Sequence, residues 1–195
     1  MHIDYRPARK EDCRRIAELD YIASAGAVEF LFRDLVPDAS PVDVVTYSLE
    51  KDDDPHSYRN TIVAEHDGKV IGMALSYPAK FHEITDEMRE FFPADRLEHF
   101  KDFFSSRVDD SYLLDALCVE EDYRGQGIGE RLIDLTKTKA LKEDYHALSL
   151  IVFADNIRAQ ALYQRNGFEW IKHIDLQPHE LIPHDGGCVL MKANI

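Results

Sequence analysis

Two apolar segments, joined through a glycine-rich turn and an amphipathic stretch, constrain the fold of this chain more than any other feature. Residues 112–119 and 147–154 carry apolar side chains on both faces, which is typical of strands covered on both sides of a sheet. The stretch between them, over residues 130–142, predicts a helix with a stripe formed by Ile128, Leu132, Leu135 and Lys139 and widened by Ile133 and Leu141. A connection of this length favours parallel pairing of the two strands with a right-handed crossover. An α/β fold is therefore predicted.

The turn that leads into this helix has the composition of an anion-binding site. Residues 124–129 read Arg-Gly-Gln-Gly-Ile-Gly. Glycines at the start of a helix let the backbone approach a bound group because no Cβ intervenes, and the first helical N–H groups lack intrahelical partners and carry partial positive charge. With Arg124 beside them, they are expected to hold a phosphate or pyrophosphate. An ordinary strand–helix turn is the alternative, and neither the dinucleotide fingerprint nor the P-loop pattern is present.

The spacing of this turn, Arg-x-x-Gly-x-Gly after a strand, resembles the coenzyme A loop of the GCN5-related N-acetyltransferases. In that family a second motif has an Asn, then seven residues later a Tyr in an Ala-Leu-Tyr context, then Gly-Phe. Asn156, Tyr163, Gly167 and Phe168 follow this order at the family's distance from the first loop. The resemblance covers residues 112–174 firmly and residues 3–19 and 61–77 loosely, and it does not cover residues 81–110.

The length of the chain predicts one domain over residues 1–195. The resemblance implies that it has the acyl-CoA N-acyltransferase fold, with a mixed, twisted sheet and helices on both faces. Local patterns predict strands over residues 3–7, 168–176 and 187–192, helices over 10–23, 28–35 and 41–49, a solvated turn over 52–56, and a hairpin that turns at His66-Asp67-Gly68. The helix over 41–49 is expected to begin at Ser40 as N-cap, followed by Pro41.

Residues 81–110 form the unusual part of the chain. Aromatic and aliphatic side chains fall at helical spacings there, interrupted by Pro93, and predict two short amphipathic helices inserted before the strand at residue 112. Three interpretations of this insertion stay open: ordinary packing, an aromatic wall over an acceptor site, and the contact of a homodimer.

The same resemblance implies transfer of an acetyl group from acetyl-CoA, as cosubstrate, to an amine. Backbone N–H groups of the glycine-rich turn are implied to bind the pyrophosphate, and the thioester arm is implied to lie along the preceding strand. An N–H there, that of Val119 in our interpretation, would polarise the thioester carbonyl. Asn156 is implied to hold the pantetheine arm, although a helix N-cap alone would explain it. The predicted cofactor-binding residues are Leu117, Cys118, Val119, Arg124, Gly125, Gln126, Gly127, Ile128, Gly129, Glu130, Asn156 and Tyr163.

Two catalytic residues are predicted. Tyr163 matches the family position that often protonates the departing thiolate, and an aromatic core residue is the alternative. A primary amine of pKa ~10.4 must lose a proton, at a cost of ~4.6 kcal/mol at pH 7, yet Ile151 stands where some family members carry a Glu. Asp115, expected on one strand face with Leu117 and Val119, is the candidate base, directly or through water; a hydrogen-bonded strand carboxylate is the alternative.

The amino-acid composition restricts the kinds of partner and the cellular compartment that are expected for this chain. The chain has 23 basic and 37 acidic side chains and a formal charge of −14. This charge disfavours binding to nucleic acid and would attract a cationic substrate. Solubility alone would also explain the acidic surface. No apolar stretch approaches the ~20 residues that span a bilayer, and the first residues lack the apolar core of a signal peptide. Three scattered cysteines, Cys13, Cys118 and Cys188, argue for reduced thiols in the cytoplasm. No Cys/His spacing predicts a metal site.

The acceptor is predicted to be a small cationic amine. Protein or peptide amines, an acyl donor other than acetyl-CoA, a non-catalytic acyl-CoA-binding module and an unrelated nucleotide-binding domain remain as alternatives.

Overall fold

The computed structural model describes residues 1–195 and contains a seven-stranded sheet in the order β1-β2-β3-β4-β5-β7-β6. The strands are β1 (Asp4–Pro7), β2 (Thr61–His66), β3 (Lys69–Pro78), β4 (Tyr112–Val119), β5 (Ala147–Phe153), β6 (Glu169–Ile174) and β7 (Cys188–Asn194). The α-helices are α1 (Cys13–Ala23), α2 (Ala27–Phe32), α3 (Pro41–Leu49), α4 (Asp86–Phe91), α5 (Ala94–His99), α6 (Lys101–Phe104), α7 (Ile128–Lys142) and α8 (Ile157–Arg165). No helix is both long and apolar enough to cross a membrane.

The sheet is mixed and is covered on both faces, as predicted. Only the β4–β5 pair is parallel, and the other neighbours are antiparallel. One face packs against α7, in a core that includes Leu114, Leu132 and Leu148. The other face packs against α1 and α3, in a core that includes Ile16 and Val45. The strands and helices predicted outside the insertion are all present, with bounds that shift by a few residues.

Local backbone chemistry explains why these elements begin and end where they do. Asp67 and Gly68 both have positive φ, 48° and 77°, which a two-residue hairpin turn requires and which Asp-Gly supplies at low cost. The Ser40 side chain accepts a hydrogen bond from the Asp43 N–H while the Asp43 carboxylate accepts from the Ser40 N–H, so a capping box starts α3. Both predictions are confirmed.

The buried face of α7 differs in part from the predicted stripe. Its buried residues are Ile128, Leu132, Ile133, Thr136 and Ala140. Leu141 is 46% exposed, so the prediction that it widens the stripe is wrong. Lys139 lies at the edge of this face, where its Nζ donates to the carbonyl oxygens of Ser76 (2.9 Å) and Asn60 (3.1 Å). Burial lowers the pKa of Lys139 to about 8.

The insertion contains three short helices, α4, α5 and α6, where two were predicted. Pro93 separates α4 from α5, and Phe100 leaves helical geometry between α5 and α6. The Phe100 ring is buried and lies 5.6 Å from the ring of Phe30 in α2. Residues of the insertion therefore pack against the early helices, which agrees with the packing interpretation of the segment.

Asp12 links the first strand to the first helix and should contribute measurably to the free energy of unfolding. Its carboxylate accepts from Arg6 Nη1 (2.7 Å) and from the Arg9 N–H (2.7 Å). Burial opposes the charged form, but the bonds from Arg6 and Arg9 outweigh it, so the pKa of Asp12 is lowered. A lowered carboxyl pKa stabilises the fold above the unfolded pKa of ~3.9, and this contribution is lost as pH falls below it.

We expect Asp12→Asn to destabilise the protein by about 1–3 kcal/mol at pH 7, because it weakens charge-assisted hydrogen bonds in a partly buried pair. Urea unfolding at pH 7 and pH 3.5 measures the effect, which should shrink at the lower pH. Asp4→Asn on the exposed side of β1 is the matched control and should change little. Equal losses at both pH values would contradict this account.

Candidate functional site

The parallel pair at the centre of the sheet separates soon after it forms. β4 and β5 pair only through Tyr112 with Leu148 and Leu113 with Ser149, although both strands continue beyond these residues. A buried hydrogen bond between the hydroxyls of Ser111 and Ser149 (2.8 Å) holds the joined end. The predicted parallel pairing is thus confirmed, but it stops after two residue pairs. Beyond them a cleft opens between β4 and β5.

The edge of β4 that faces this cleft presents unpaired backbone groups. The Glu120 N–H donates to Ile71 O of β3 (2.8 Å), so the backbone at position 120 points away from the cleft. Since successive residues of a strand direct their N–H groups to opposite edges, Cys118 also faces β3. The N–H groups of Leu117 and Val119 therefore point to the edge at which β5 is absent. Burial raises the pKa of the Cys118 thiol to about 11, as suits a core residue.

The glycine-rich turn stands at the open end of this edge with free donors. The backbone N–H groups of residues 125–130 donate to no acceptor within the protein, and the first helical bond runs from the Arg131 N–H to Gly127 O (3.0 Å). Gly125 and Gly127 have φ of 75° and 79°, which residues with a Cβ rarely adopt. Free donors at the positive end of the α7 dipole form a site for an anion.

Arg124 lies beside this turn, and its Nε donates to Val119 O (2.9 Å). The side chain thereby connects the end of β4 to the turn. A Cβ built on Gly129 would lie 3.6 Å from Leu162 Cδ2 and 3.9 Å from Val119 Cγ2. The start of α7, helix α8 and the end of β4 thus converge at the open end of the cleft.

Helix α8 carries the two residues of the second motif. Asn156 is its N-cap, and the side-chain oxygen accepts from the Ala159 N–H (3.1 Å). The Tyr163 ring packs edge-to-face on Phe168, with centroids 5.7 Å apart. Burial and the nearby Cys118 raise the pKa of Tyr163 to about 12. Its hydroxyl forms no hydrogen bond within the protein and is free to contact a ligand.

Asp115 does not share a face with Leu117 and Val119, so that prediction is wrong. Leu75 of β3 pairs with Ala116 while Ser76 pairs with Leu114, which makes Asp115 the extra residue of a β-bulge. Leu117 and Val119 pack on the α7 side of the sheet. A bulge redirects the side chain of the extra residue, and the Asp115 Oδ1 accepts a hydrogen bond from Tyr77 Oη (2.9 Å).

His56 is the functional candidate that sequence reasoning missed, because residues 52–56 were predicted to be a solvated turn. Its Nε2 lies 3.1 Å from Tyr77 Oη and 3.7 Å from Asp115 Oδ2. The backbone N–H of His56 donates to Asp54 Oδ1 (2.8 Å), which fixes the turn. The His56 side chain is 45% exposed, so a ligand can reach it. No local signal distinguished it from the other polar residues of the turn.

These residues form what we call the Asp115 cluster: Asp20, Asp54, His56, Tyr77 and Asp115. Burial, together with repulsion from Asp115, raises the pKa of Asp20 in α1 to about 7. Burial opposes the charged form of His56, but the bond to Asp54 and the charges of Asp115, Asp54 and Asp20 prevail and raise its pKa. Burial and Asp115 hold the pKa of Tyr77 well above 10. The cluster favours a bound positive charge.

Two other histidines, His82 and His146, differ in their distance from the cluster. His82 is buried beside the cluster, where its Nε2 lies 3.1 Å from Phe103 O and burial lowers its pKa. His146 is exposed just before β5, and no contact links it to the cluster.

The known proteins that this chain resembles in sequence or in fold are acetyltransferases. Residues 27–168 match the model of the Acetyltransferase (GNAT) family. A mycothiol acetyltransferase of Jonesia denitrificans is 41% identical over 71 residues, which cover 35% of this chain and 23% of that protein's length. A crystal structure of an acetyltransferase is 26% identical, with a TM-score of 0.71 over 98% of this chain and 99% of that chain. The PaiA N-acetyltransferase of Thermoplasma acidophilum, solved in complex with coenzyme A, is 14% identical, with a TM-score of 0.56 over 100% of both chains. At that identity the likeness concerns the fold alone.

Proposed function

The chain belongs to the acetyltransferase (GNAT) family, and we propose that it transfers an acetyl group from acetyl-CoA to the primary amine of a small cationic acceptor. In this proposal residues 1–195 act as one domain that carries the insertion at residues 81–110. The observation that supports it most is the run of unpaired N–H groups at residues 125–130 beside an unpaired edge of β4. A phosphate-bearing ligand with a long hydrogen-bonding arm matches both features.

Coenzyme A supplies both parts of such a ligand. Its pyrophosphate would accept hydrogen bonds from the N–H groups of residues 125–130, with Arg124 beside them. Its pantetheine arm would take the place of a strand next to Leu117, Cys118 and Val119, with Asn156 opposite. The coenzyme A bound by a protein of the same fold supports this choice.

The thioester carbonyl would accept from an edge-facing N–H, so that developing negative charge on its oxygen is stabilised. The N–H of Val119 is the group predicted from the sequence. The N–H of Leu117 faces the same edge and lies about 7 Å along the strand from Asp115, at about 3.3 Å per residue. It is therefore nearer to an amine held by the Asp115 cluster. Tyr163 would donate a proton to the departing thiolate.

Release of the coenzyme A thiol tests the proposal directly. The purified protein is incubated with acetyl-CoA and, in turn, spermidine, L-lysine, kanamycin and a lysine-containing peptide, and free thiol is followed with a disulfide reagent. Amine-dependent thiol release is expected, fastest with the small cations. Binding of coenzyme A without turnover would favour a non-catalytic module, and displacement of coenzyme A by ATP would favour a nucleotide-binding domain. Thermal shifts with other acyl-CoAs identify the donor.

We expect Tyr163→Phe to lower kcat about 10- to 100-fold while the affinity for coenzyme A stays unchanged. The thiolate is a good leaving group (thiol pKa ~8.5), so its protonation contributes at the low end of general acid catalysis. Steady-state kinetics and calorimetry measure the two quantities. Phe168→Leu, which alters the ring that packs on Tyr163 and keeps the hydroxyl, is the control for packing. An unchanged kcat in Tyr163→Phe would exclude the acid role.

A further inference from the structure

We infer that His56 accepts the proton that the acceptor ammonium must lose, and that Tyr77 and Asp115 position it for this step. The inference rests on the proposed function and assigns its missing base. It follows from the geometry of one loop and two strands that the fold brings together. The other charged or titratable groups around His56 are Asp54 in its own loop, Asp20 on α1 and His82 after β3.

The first step concerns the place where the ammonium would bind. The gap of 3.7 Å between His56 Nε2 and Asp115 Oδ2 is too long for a hydrogen bond. Asp115 Oδ2 accepts no hydrogen bond within the protein, and Tyr77 gives its hydrogen to Asp115 Oδ1 and not to His56 Nε2. In the neutral ring with hydrogen on Nδ1, both atoms can therefore accept from a donor placed between them. An alkylammonium has three N–H donors, so it can contact the carboxylate oxygen and the imidazole nitrogen together. The partly exposed His56 ring is open to such a ligand.

The second step concerns the proton itself. Tyr77 Oη donates its only hydrogen to Asp115 Oδ1 (2.9 Å), so the phenol oxygen presents a lone pair to His56 Nε2 at 3.1 Å. In the neutral ring with hydrogen on Nδ1, that nitrogen points to Asp54 Oδ1 (3.5 Å) and Nε2 keeps its lone pair. Once Nε2 gains a proton, its N–H donates a hydrogen bond to Tyr77 Oη. Only the protonated ring offers an N–H donor both to Asp54 Oδ1 and to Tyr77 Oη.

The third step concerns the strength of His56 as a base. The carboxylates of Asp54, Asp115 and Asp20 surround the ring and raise the pKa of His56 above its ordinary 6.5. A base is most effective when its pKa lies near the working pH. Asp20, with a pKa raised to about 7, is the alternative base within the cluster. It forms no hydrogen bond with a side chain that would orient it.

The reaction then balances. An N–H bond of the ammonium breaks as the His56 Nε2–H bond forms, and the free amine nitrogen forms a C–N bond to the thioester carbon. The C–S bond breaks, and the thiolate takes the Tyr163 proton. The second nitrogen proton returns to Tyr163, and the proton on His56 is released to solvent. The products are the acetamide, the coenzyme A thiol and one proton.

The test is the pH dependence of kcat in His56→Gln, with the amine of the four above that the wild-type protein acetylates fastest. At pH 7 we expect kcat to fall about 100-fold, because general base catalysis is lost. The deficit should shrink below about 10-fold at pH 9.5, where the amine deprotonates without assistance. The acid limb that His56 sets in the wild-type profile should be replaced in the variant by a limb at higher pH, near the pKa of the acceptor amine (~10.4).

Asp115→Asn provides a second readout that a purely structural role would not give. Removal of its charge should shift the acid limb of kcat to lower pH, because the charged ring loses a stabilising neighbour. Asp20→Asn should keep an acid limb of kcat that is still set by His56. An acid limb that moves to the amine pKa in Asp20→Asn but keeps its wild-type position in His56→Gln would overturn the inference and identify Asp20 as the base.

The outcomes also separate this inference from the proposed function. Coenzyme A affinity and melting temperature of His56→Gln, compared with those of the wild-type protein, show whether the variant folds and binds the cofactor. A variant that binds coenzyme A normally and keeps wild-type kcat at pH 7 overturns the inference alone. A wild-type protein that releases no thiol with any of the four amines overturns the proposed function, and the inference with it.

Discussion

Gly127→Val should lose at least 100-fold in affinity for coenzyme A. Gly127 is the residue before α7, with φ of 79°, and its own N–H belongs to the unpaired run at residues 125–130. A β-branched residue strongly disfavours this φ, so the turn is expected to rotate and the free N–H groups to lose their common direction. Any Cβ retained there would also occupy space that the glycine leaves open at the proposed pyrophosphate site.

Gly68→Val is a closely matched control for this variant. Gly68 has φ of 77°, and a Cβ built on either glycine meets no heavy atom within 4 Å. The two substitutions therefore impose similar backbone strain, one at the hairpin turn and one at the proposed pyrophosphate site. Calorimetry with coenzyme A should show near wild-type affinity for Gly68→Val. Affinities of the two variants within threefold of each other would show that the turn does not hold the pyrophosphate.

Gly26→Ala should destabilise the protein strongly for so small a substitution. Gly26 precedes α2 with φ of 103°, and a Cβ built there would lie 1.9 Å from Leu181 O. The atom it meets is backbone, which cannot rotate away as a side chain does. Strain at positive φ costs about 1–2 kcal/mol, and displacement of packed backbone costs about 1–3 kcal/mol.

A total near 3 kcal/mol would lower the melting temperature by about 6–12 °C in a chain of this size. Differential scanning calorimetry measures the shift, and Gly68→Ala, with similar strain and no collision, should lose much less. A shift in Gly26→Ala no larger than that of Gly68→Ala would mean that the contact with residue 181 relaxes without cost. The result reports whether α2 is fixed against the segment between β6 and β7.

The sequence predicted well the elements that form the proposed cofactor site. The strand Tyr112–Val119, the helix that follows it and the glycine-rich turn between them all appear in the structure. The Asp-Gly hairpin and the capped helix Pro41–Leu49 do as well. These features depend on interactions within a few residues: side-chain periodicity, the φ that glycine permits, and a cap bonded three residues ahead.

The sequence failed where the answer depended on how distant segments align. The face occupied by Asp115 was predicted by simple alternation, and a bulge set by the pairing of β3 with β4 reversed it. His56 looked like a turn residue because its contact with Tyr77 joins positions 21 residues apart, and the contact of Tyr77 with Asp115 joins positions 38 apart. No local pattern records either contact.

The amino-acid sequence by itself determined which segments become strands and helices, where the glycine-rich turn lies and which family the chain resembles, because short-range backbone preferences decide these features. Only the tertiary structure decided that β4 and β5 separate after two residue pairs and that His56, Tyr77 and Asp115 meet beside the resulting cleft. Strand register and the packing of a loop on a sheet depend on the whole chain, so the residues proposed to act on the amine became visible only in three dimensions.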